Sequence, residues 1–204
     1  MSDPSAALLG GSAAVMFVLA AIAVAWLHLQ PAAVDNVREG VSAYGAGAGA
    51  YAPPYRFQVI ASGIGGLLLA GALALSGATV PFGLAFLAIF GAARIAIAWF
   101  PTDLEGRVTR TGWFHVLLAA VAFISIAIAA PAISLSLARA SAWRGLEPIM
   151  VPLAFAVTAS VVATFASNSL VRTRPIFGAV ERVVYVTGFA WLLVASLGAL
   201  LVSL

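Results

Sequence analysis

The chain has 204 residues and a formal net charge of +3, and 63% of its residues are hydrophobic while only 8% are charged. An ordinary soluble domain carries about 25% charged residues, so this chain has too little polar surface to cover itself in water. The lack of cysteine excludes disulfides, iron–sulfur clusters and thiol nucleophiles. The basic residues are arginines scattered at helix ends rather than gathered in one patch, so no nucleic-acid partner is expected.

Six continuous apolar stretches fill most of the sequence. A helix that crosses a bilayer core about 30 Å thick needs about 20 apolar residues. Without water in that core, helices satisfy their own backbone groups, whereas a β-barrel would show alternating segments of about ten residues. The sequence therefore predicts an all-α polytopic transmembrane bundle in one domain, residues 1–204, with helices at about 8–29, 57–76, 80–100, 113–137, 149–168 and 183–204.

The first helix and the loop after it are the earliest predicted elements. The first apolar run has no basic segment before it and is long for a signal peptide, so we expect it to be retained as helix one. Loop one, about Gln30–Arg56, contains a possible short interfacial helix at Val34–Tyr44 and then a glycine–alanine run. Loops of this length are usually functional or mobile, so a lid and a flexible tether both remain open.

Helices two and five each carry one small or hydroxylated residue per turn. In lipid, such stripes permit close helix approach, so they are most simply packing seams within the bundle, in a homo-oligomer or in a larger membrane complex. A polar pathway along helix five is the alternative. The stripes are Ser62, Gly66, Ala70 and Ala74 in helix two, and Ala156, Ser160, Thr164 and Asn168 in helix five.

Arginine placement predicts the orientation. Most arginines flank the loops after helices one, three and five, and cytoplasmic loops carry the excess of basic residues. Both termini are therefore expected on the non-cytoplasmic side, and small size with arginine bias favours a bacterial inner (plasma) membrane. The cytoplasmic set is Arg38, Arg56, Arg107, Arg110, Arg172, Arg174 and Arg182, against Arg139 and Arg144 opposite.

Arg94 is the one arginine inside a predicted helix. It lies six residues before Phe100, which places it roughly 9 Å below the cytoplasmic end of helix three. A charge inside the membrane costs at least about 2.5 kcal/mol unless it snorkels or is paired. We expect pairing with Asp103, Glu39 or Glu181, because these acidic residues share its side of the membrane.

The connection between helices three and four holds a carboxylate and an imidazole. Asp103 and His115 flank one hairpin, and such a pair can act as acid and base or as two metal ligands. The alternative is that both cap helix ends. His28 could complete a metal site with them or a haem with His115, although no H-x-x-x-H spacing supports either, and cofactors stay unknown.

Helix six begins with further polar groups. Glu181, Tyr185 and Gly188 share one helical face at i, i+4 and i+7. Glu181 would also suit the positive dipole of a first helical turn. A carboxylate, a phenol and Arg94 could therefore meet around one cavity on the cytoplasmic side.

Three segments resemble a known family. They are Val41-Ser42-Ala43-Tyr44-Gly45, Phe100-Pro101-Thr102-Asp103 with His115, and Gly178-Ala179-Val180-Glu181-Arg182. In order and spacing they resemble the uncharacterised six-helix membrane proteins of domain of unknown function 998. Ala43 departs from the polar residue expected in the first segment. The resemblance implies six helices and a polar cluster facing one side, without an established activity.

Four hypotheses for function follow. The first is a pocket that binds an amphiphile or lipid head group among the arginines. Its residues would be Arg94, Asp103, His115, Glu181, Arg182 and Tyr185, with Glu39 and Tyr44 contributed by loop one as a lid. The others are a lipid-modifying enzyme using His115 and Asp103, a small transporter or channel, and a noncatalytic subunit of a larger membrane complex.

Overall fold

The described part of the protein is all-helical. The computed structural model describes residues 3–30, 34–46, 49–77, 80–103, 109–170 and 173–204. Within these ranges no strand occurs, which confirms the predicted all-α class. The helices are α1 (Pro4–His28), α2 (Ala52–Leu75), α3 (Pro81–Ile97), α4 (Arg110–Leu137), α5 (Glu147–Ser169) and α6 (Phe177–Val202).

Five of these helices are long and apolar enough to cross a membrane. The exception is α3, which has 17 residues and ends at Ile97 rather than at residue 100 as predicted. Pro101 disfavours a helical backbone at Phe100, and the Trp99 and Phe100 amides instead make tight turns to the carbonyls of Ala96 and Ile97. The protein is therefore an integral multi-pass membrane protein in which α3 is the short member.

Five helices begin earlier than predicted. The differences are largest for α2, which starts at Ala52 instead of residue 57, and for α6, which starts at Phe177 instead of residue 183. The first turn of a helix tolerates proline and polar residues because its N–H groups have no intrahelical partner. A prediction from apolar stretches alone therefore does not detect such a turn. Glu181 consequently lies in the second turn of α6, so the expected first-turn dipole role does not apply.

The helices pack in a ring. Each helix contacts the next in sequence, α1 contacts α6, and α2 also contacts α6 across the interior. The start of α1 meets the end of α6, since a Cβ on Gly10 would lie 2.8 Å from the Leu200 amide nitrogen. These two helices are thus antiparallel, and the membrane side on which their free ends lie stays a prediction. The core includes Phe17, Leu69, Leu87, Ile133 and Trp191.

Loop one folds back on the start of α6. We call residues 34–46 the loop-one strap. Instead of the expected helix at Val34–Tyr44 it forms a turn and then a short 3-10 helix at Val41–Gly45, in which Val41 is fully buried. The Ala179 amide donates to the Val37 carbonyl at 3.0 Å, and a Cβ on Gly178 would collide with the Glu39 carbonyl oxygen. The strap is therefore a packed part of the bundle.

α2 and α3 approach each other at two glycines. A Cβ on Gly63 would lie 2.6 Å from the Gly91 carbonyl oxygen and 2.9 Å from the Ile95 amide nitrogen. A Cβ on Gly91 would lie 2.8 Å from the Gly63 carbonyl oxygen. Because the obstructing atoms are backbone, neither helix can accommodate a side chain there without moving. The predicted seam of helix two takes part here through Gly66, which faces Phe90 and Gly91.

Gly63→Ala should therefore destabilise the bundle. Forcing one carbon into this contact is expected to lower the free energy of unfolding by about 1–3 kcal/mol, measured by denaturant titration in detergent. Gly188→Ala is the matched control, because this mid-helix glycine of α6 has no atom within 4 Å of an added Cβ. Both changes gain about 1 kcal/mol of helix propensity. Equal unfolding midpoints for the two variants would contradict the close α2–α3 contact.

Candidate functional site

A cavity of about 260 Å³ lies at the end of the bundle against which the loop-one strap packs. Four of the predicted site residues line it together: Arg94 from α3, His115 from α4, and Glu181 and Tyr185 from α6. Tyr55 of α2 adds a further phenol to the lining. Thr164 and Asn168 of α5 line it as well, so the structure brings charged and polar groups from five helices to one space.

The cavity reaches the outer surface of the bundle between α4 and α5. Val116 of α4 and Phe165 of α5 both line it, and they are 62% and 37% exposed. The outer surface of a membrane-spanning bundle faces lipid hydrocarbon. The cavity therefore combines an interior polar end with an apolar side entrance toward lipid.

Arg94 is held by neutral groups. Its Nε donates to Ser62 Oγ at 3.0 Å, one terminal nitrogen to Gln58 Oε1 at 2.6 Å, and the other to the Tyr185 hydroxyl at 3.3 Å. The guanidinium carbon also lies 5.5 Å from the centre of the Tyr185 ring, within cation–π distance. Arg94 is only 5% exposed, so its charge is an interior one.

The expected carboxylate partner of Arg94 is not found. Within the part of the chain that the structure describes, neither Asp103, Glu39 nor Glu181 forms an ion pair with it. The prediction of pairing with one of these residues is therefore wrong for the described chain. The reason is geometric, since α3 turns the guanidinium toward α2 and α6, where the nearest acceptors are an amide, a hydroxyl and a phenol.

Sequence reasoning missed Gln58. This side chain is fully buried, and its amide nitrogen has no hydrogen-bond partner among the described residues. A glutamine four residues before Ser62 in an otherwise apolar stretch was the available signal, because polar residues inside a span face the bundle interior. Gln58 and Ser62 share one face of α2 at i and i+4, which is why both reach Arg94.

His115 is fixed in one tautomer. Its Nδ1 lies 2.6 Å from the Phe100 carbonyl oxygen. A carbonyl can only accept, so Nδ1 carries the hydrogen, and Nε2 of the neutral ring keeps its lone pair. His115 is 3% exposed and lines the cavity. This contact joins the two ends of the Phe-Pro-x-Asp…His segment.

Asp103 caps α4. Its carboxylate accepts from the Thr109 amide at 2.8 Å and from the Thr109 hydroxyl at 2.6 Å. Thr109 in turn accepts from the Gly112 amide at 3.1 Å, and a Cβ on Gly112 would collide with the carboxylate. No hydrogen bond joins Asp103 to His115, so their acid–base partnership stays a prediction. Residues 104–108 and 171–172, with Arg107 and Arg172, lie outside the described residues.

Glu181 links α6 to the loop-one strap. Its Oε2 accepts from the Val41 amide at 2.8 Å, and a Cβ on Gly40 would lie 2.6 Å from that same oxygen. The carboxyl therefore caps the first turn of the 3-10 helix at Val41–Gly45. Glu181 is 6% exposed and also lines the cavity.

Arg182 faces away from this cavity. It donates to His28 Nε2 and Asn36 Oδ1, each at 2.6 Å, and to the carbonyls of Glu39 and Gly178, each at 2.8 Å. The Tyr44 hydroxyl donates to the same Asn36 oxygen at 2.8 Å. Arg182, Glu39 and Tyr44, which the sequence predicted as ligand-binding, thus bind the strap to α1 and α6.

The alternative metal set of His28, His115 and Asp103 is not assembled. Across the described ranges, no group of three histidine or acidic residues could hold an ion. His28 uses both ring nitrogens, one toward the Val24 carbonyl at 2.6 Å and the other as acceptor from Arg182. It therefore has no free lone pair for a metal or a haem iron.

Comparison with known proteins identifies the family to which the chain belongs. No curated protein and no solved structure matches the chain. A family model described as "Protein of unknown function (DUF998)" matches residues 12–198, a range that runs from α1 into α6 and contains the strap, the Phe100–His115 contact and the Glu181–Arg182 pair. The chain belongs to this family of proteins of unknown function, DUF998.

Proposed function

We propose that the protein binds a membrane amphiphile, with its head group against Arg94 and its tail leaving between α4 and α5. The observation that carries the proposal is a buried guanidinium which lines a cavity and has no carboxylate partner in the described chain. An arginine cannot lose its proton in a protein. Its charge is therefore available to an anionic group that enters the cavity.

Unused hydrogen-bond donors support an anionic head group. A guanidinium carries five N–H groups, and the three bonds to Gln58, Ser62 and Tyr185 leave two without an acceptor among the described residues. The buried Gln58 amide nitrogen adds two more donors close by. Phosphate and carboxylate oxygens accept several such bonds at once and form the strongest ones with arginine.

The side entrance supports a lipid tail. Ligand cavities usually have volumes of about 300–1,000 Å³, so a space of about 260 Å³ suits a head group and the first part of a chain. Val116 and Phe165 at the entrance would contact that chain as it enters the surrounding hydrocarbon. We place this end of the bundle at the cytoplasmic leaflet, because most arginines flank the loops at this end.

Arg94→Ala should weaken amphiphile binding. Losing a charge-assisted contact in a buried site is expected to lower lipid retention at least about tenfold. The measurement is native mass spectrometry of protein purified in mild detergent. Arg38→Ala is the control, since the Arg38 side chain is 73% exposed and pairs with Asp35 at 3.7 Å. Equal retention by both variants would remove Arg94 from the binding site.

Ala120→Phe should block the cavity while leaving the polar end intact. Ala120 lines the cavity from α4, so an aromatic ring there would occupy the space assigned to the tail. Lipid retention is expected to fall at least about fivefold, since forcing a ring and a tail into one space costs about 1–3 kcal/mol. Leu117→Phe is the control, because Leu117 is 42% exposed on the same helix and does not line the cavity. Undiminished retention in Ala120→Phe would place the tail elsewhere.

A second candidate is hydrolysis of a lipid ester. The Phe100 carbonyl holds His115 with the Nε2 lone pair available, the state a general base needs to take a proton from an attacking water. Arg94 lines the same cavity and could stabilise the oxyanion that develops. This observation favours His115 over the Asp103–His115 pair as the reactive group.

His115→Asn tests the enzymatic candidate. The amide nitrogen of asparagine can keep the bond to the Phe100 carbonyl, while the base at Nε2 is lost. If the protein is a hydrolase, release of fatty acid from a membrane lipid extract should fall about a hundredfold or more, with the unfolding midpoint unchanged. Mass spectrometry of the released acids measures this. Turnover that survives in the variant, or none in the wild type, would leave binding as the function.

A further inference from the structure

We infer that the amphiphile is zwitterionic, with an anion that binds Arg94 and a primary ammonium that binds Glu181. This inference rests on the proposed function and names the class of head group. Arg94 and Glu181 line one cavity, yet no ion pair joins them to each other or to another charged group in the described chain. A buried guanidinium and a buried carboxyl that face one space without pairing are complementary to a molecule that carries both an anion and an ammonium.

Glu181 has capacity for a ligand. Its Oε2 accepts from the Val41 amide, while Oε1 has no hydrogen-bond partner within the described ranges. A carboxylate can accept about four hydrogen bonds on its two oxygens. The single bond to the strap therefore leaves most of this acceptor capacity facing the cavity, where only a donor can use it.

The two groups lie at neighbouring levels of α6. Arg94 is bonded to Tyr185, which follows Glu181 by one turn of that helix. Direct pairing is prevented because Gln58 and Ser62 hold the guanidinium toward α2. A head group with its anion and its ammonium on neighbouring atoms of a short linker, as in phosphoethanolamine, is the compact molecule that presents one charge to each group.

A primary ammonium fits better than a quaternary one. Oε1 of Glu181 requires a hydrogen-bond donor, and a quaternary ammonium has none. A head group that carries only an anion would leave the Glu181 carboxyl beside it, and like charges brought together in a buried site are mutually destabilising. The expected order of affinity is therefore phosphatidylethanolamine above phosphatidylcholine and above phosphatidylglycerol.

The experiment compares head groups with equal tails. The full chain is placed in nanodiscs that contain equimolar phosphatidylethanolamine, phosphatidylcholine and phosphatidylglycerol. It is then purified from them, and the lipids that it retains are counted by native mass spectrometry. The wild type should retain phosphatidylethanolamine at least about tenfold over phosphatidylglycerol. Glu181→Gln keeps an oxygen that can accept from Val41, so the strap should hold while the preference disappears.

The possible outcomes separate this inference from the proposed function. If lipid retention depends on Arg94 but shows no preference among head groups, the inference of a zwitterionic head group is wrong and the proposed amphiphile site is supported. Loss of all retention, with Arg94 intact, would overturn both. If Glu181→Gln does not fold, the head-group preference of the wild-type protein alone tests the inference. Free glycerophosphoethanolamine is tested as a competitor. If it competes as strongly as the lipid does, the recognition of both charges stands, but the ligand is a soluble molecule and not an amphiphile.

Discussion

The burial of one guanidinium constrains the whole polar end of the bundle. Arg94 keeps its charge in an apolar interior, where an uncompensated ion costs at least about 2.5 kcal/mol. The protein lowers that cost with an amide and a hydroxyl from α2 and a phenol from α6. These contacts tie α2, α3 and α6 together at one level. The same contacts turn the guanidinium away from Glu181, which leaves two charges separated across a cavity.

Adjacent residues of α6 act on opposite sides of that helix. Successive residues of an α-helix point about 100° apart, so Glu181 faces the cavity while Arg182 faces α1 and the loop-one strap. Arg182 binds the strap to His28, and Glu181 caps the 3-10 helix of the strap. Gly178 allows this contact, because the strap backbone lies where a side chain would be. Two of the three segments that carry the resemblance to the family are therefore one structural unit.

The sequence was sufficient for the membrane-spanning class and for four of the side chains that line the cavity, but not for the others or for the hydrogen-bond partners of any of them. Hydropathy located the six helices because hydrocarbon length fixes apolar length. It missed the first turns of α2 and α6, which are compatible with proline and polar residues, and the early end of α3. Arg94, His115, Glu181 and Tyr185 do line one cavity. Their partners could not be inferred, because helix rotation follows from packing at contacts such as Gly63 with Gly91.

The proposed ligand would couple its binding to the stability of the bundle. Among the described residues, Arg94 is satisfied only by neutral dipoles and Glu181 by one backbone amide. A ligand that supplies an acceptor and a donor would compensate both charges in the folded state alone, and binding of that kind stabilises a protein by mass action. The strap would share the gain, because Glu181 holds it. The proposed head-group recognition would therefore be coupled to the integrity of the strap through the carboxyl group of Glu181.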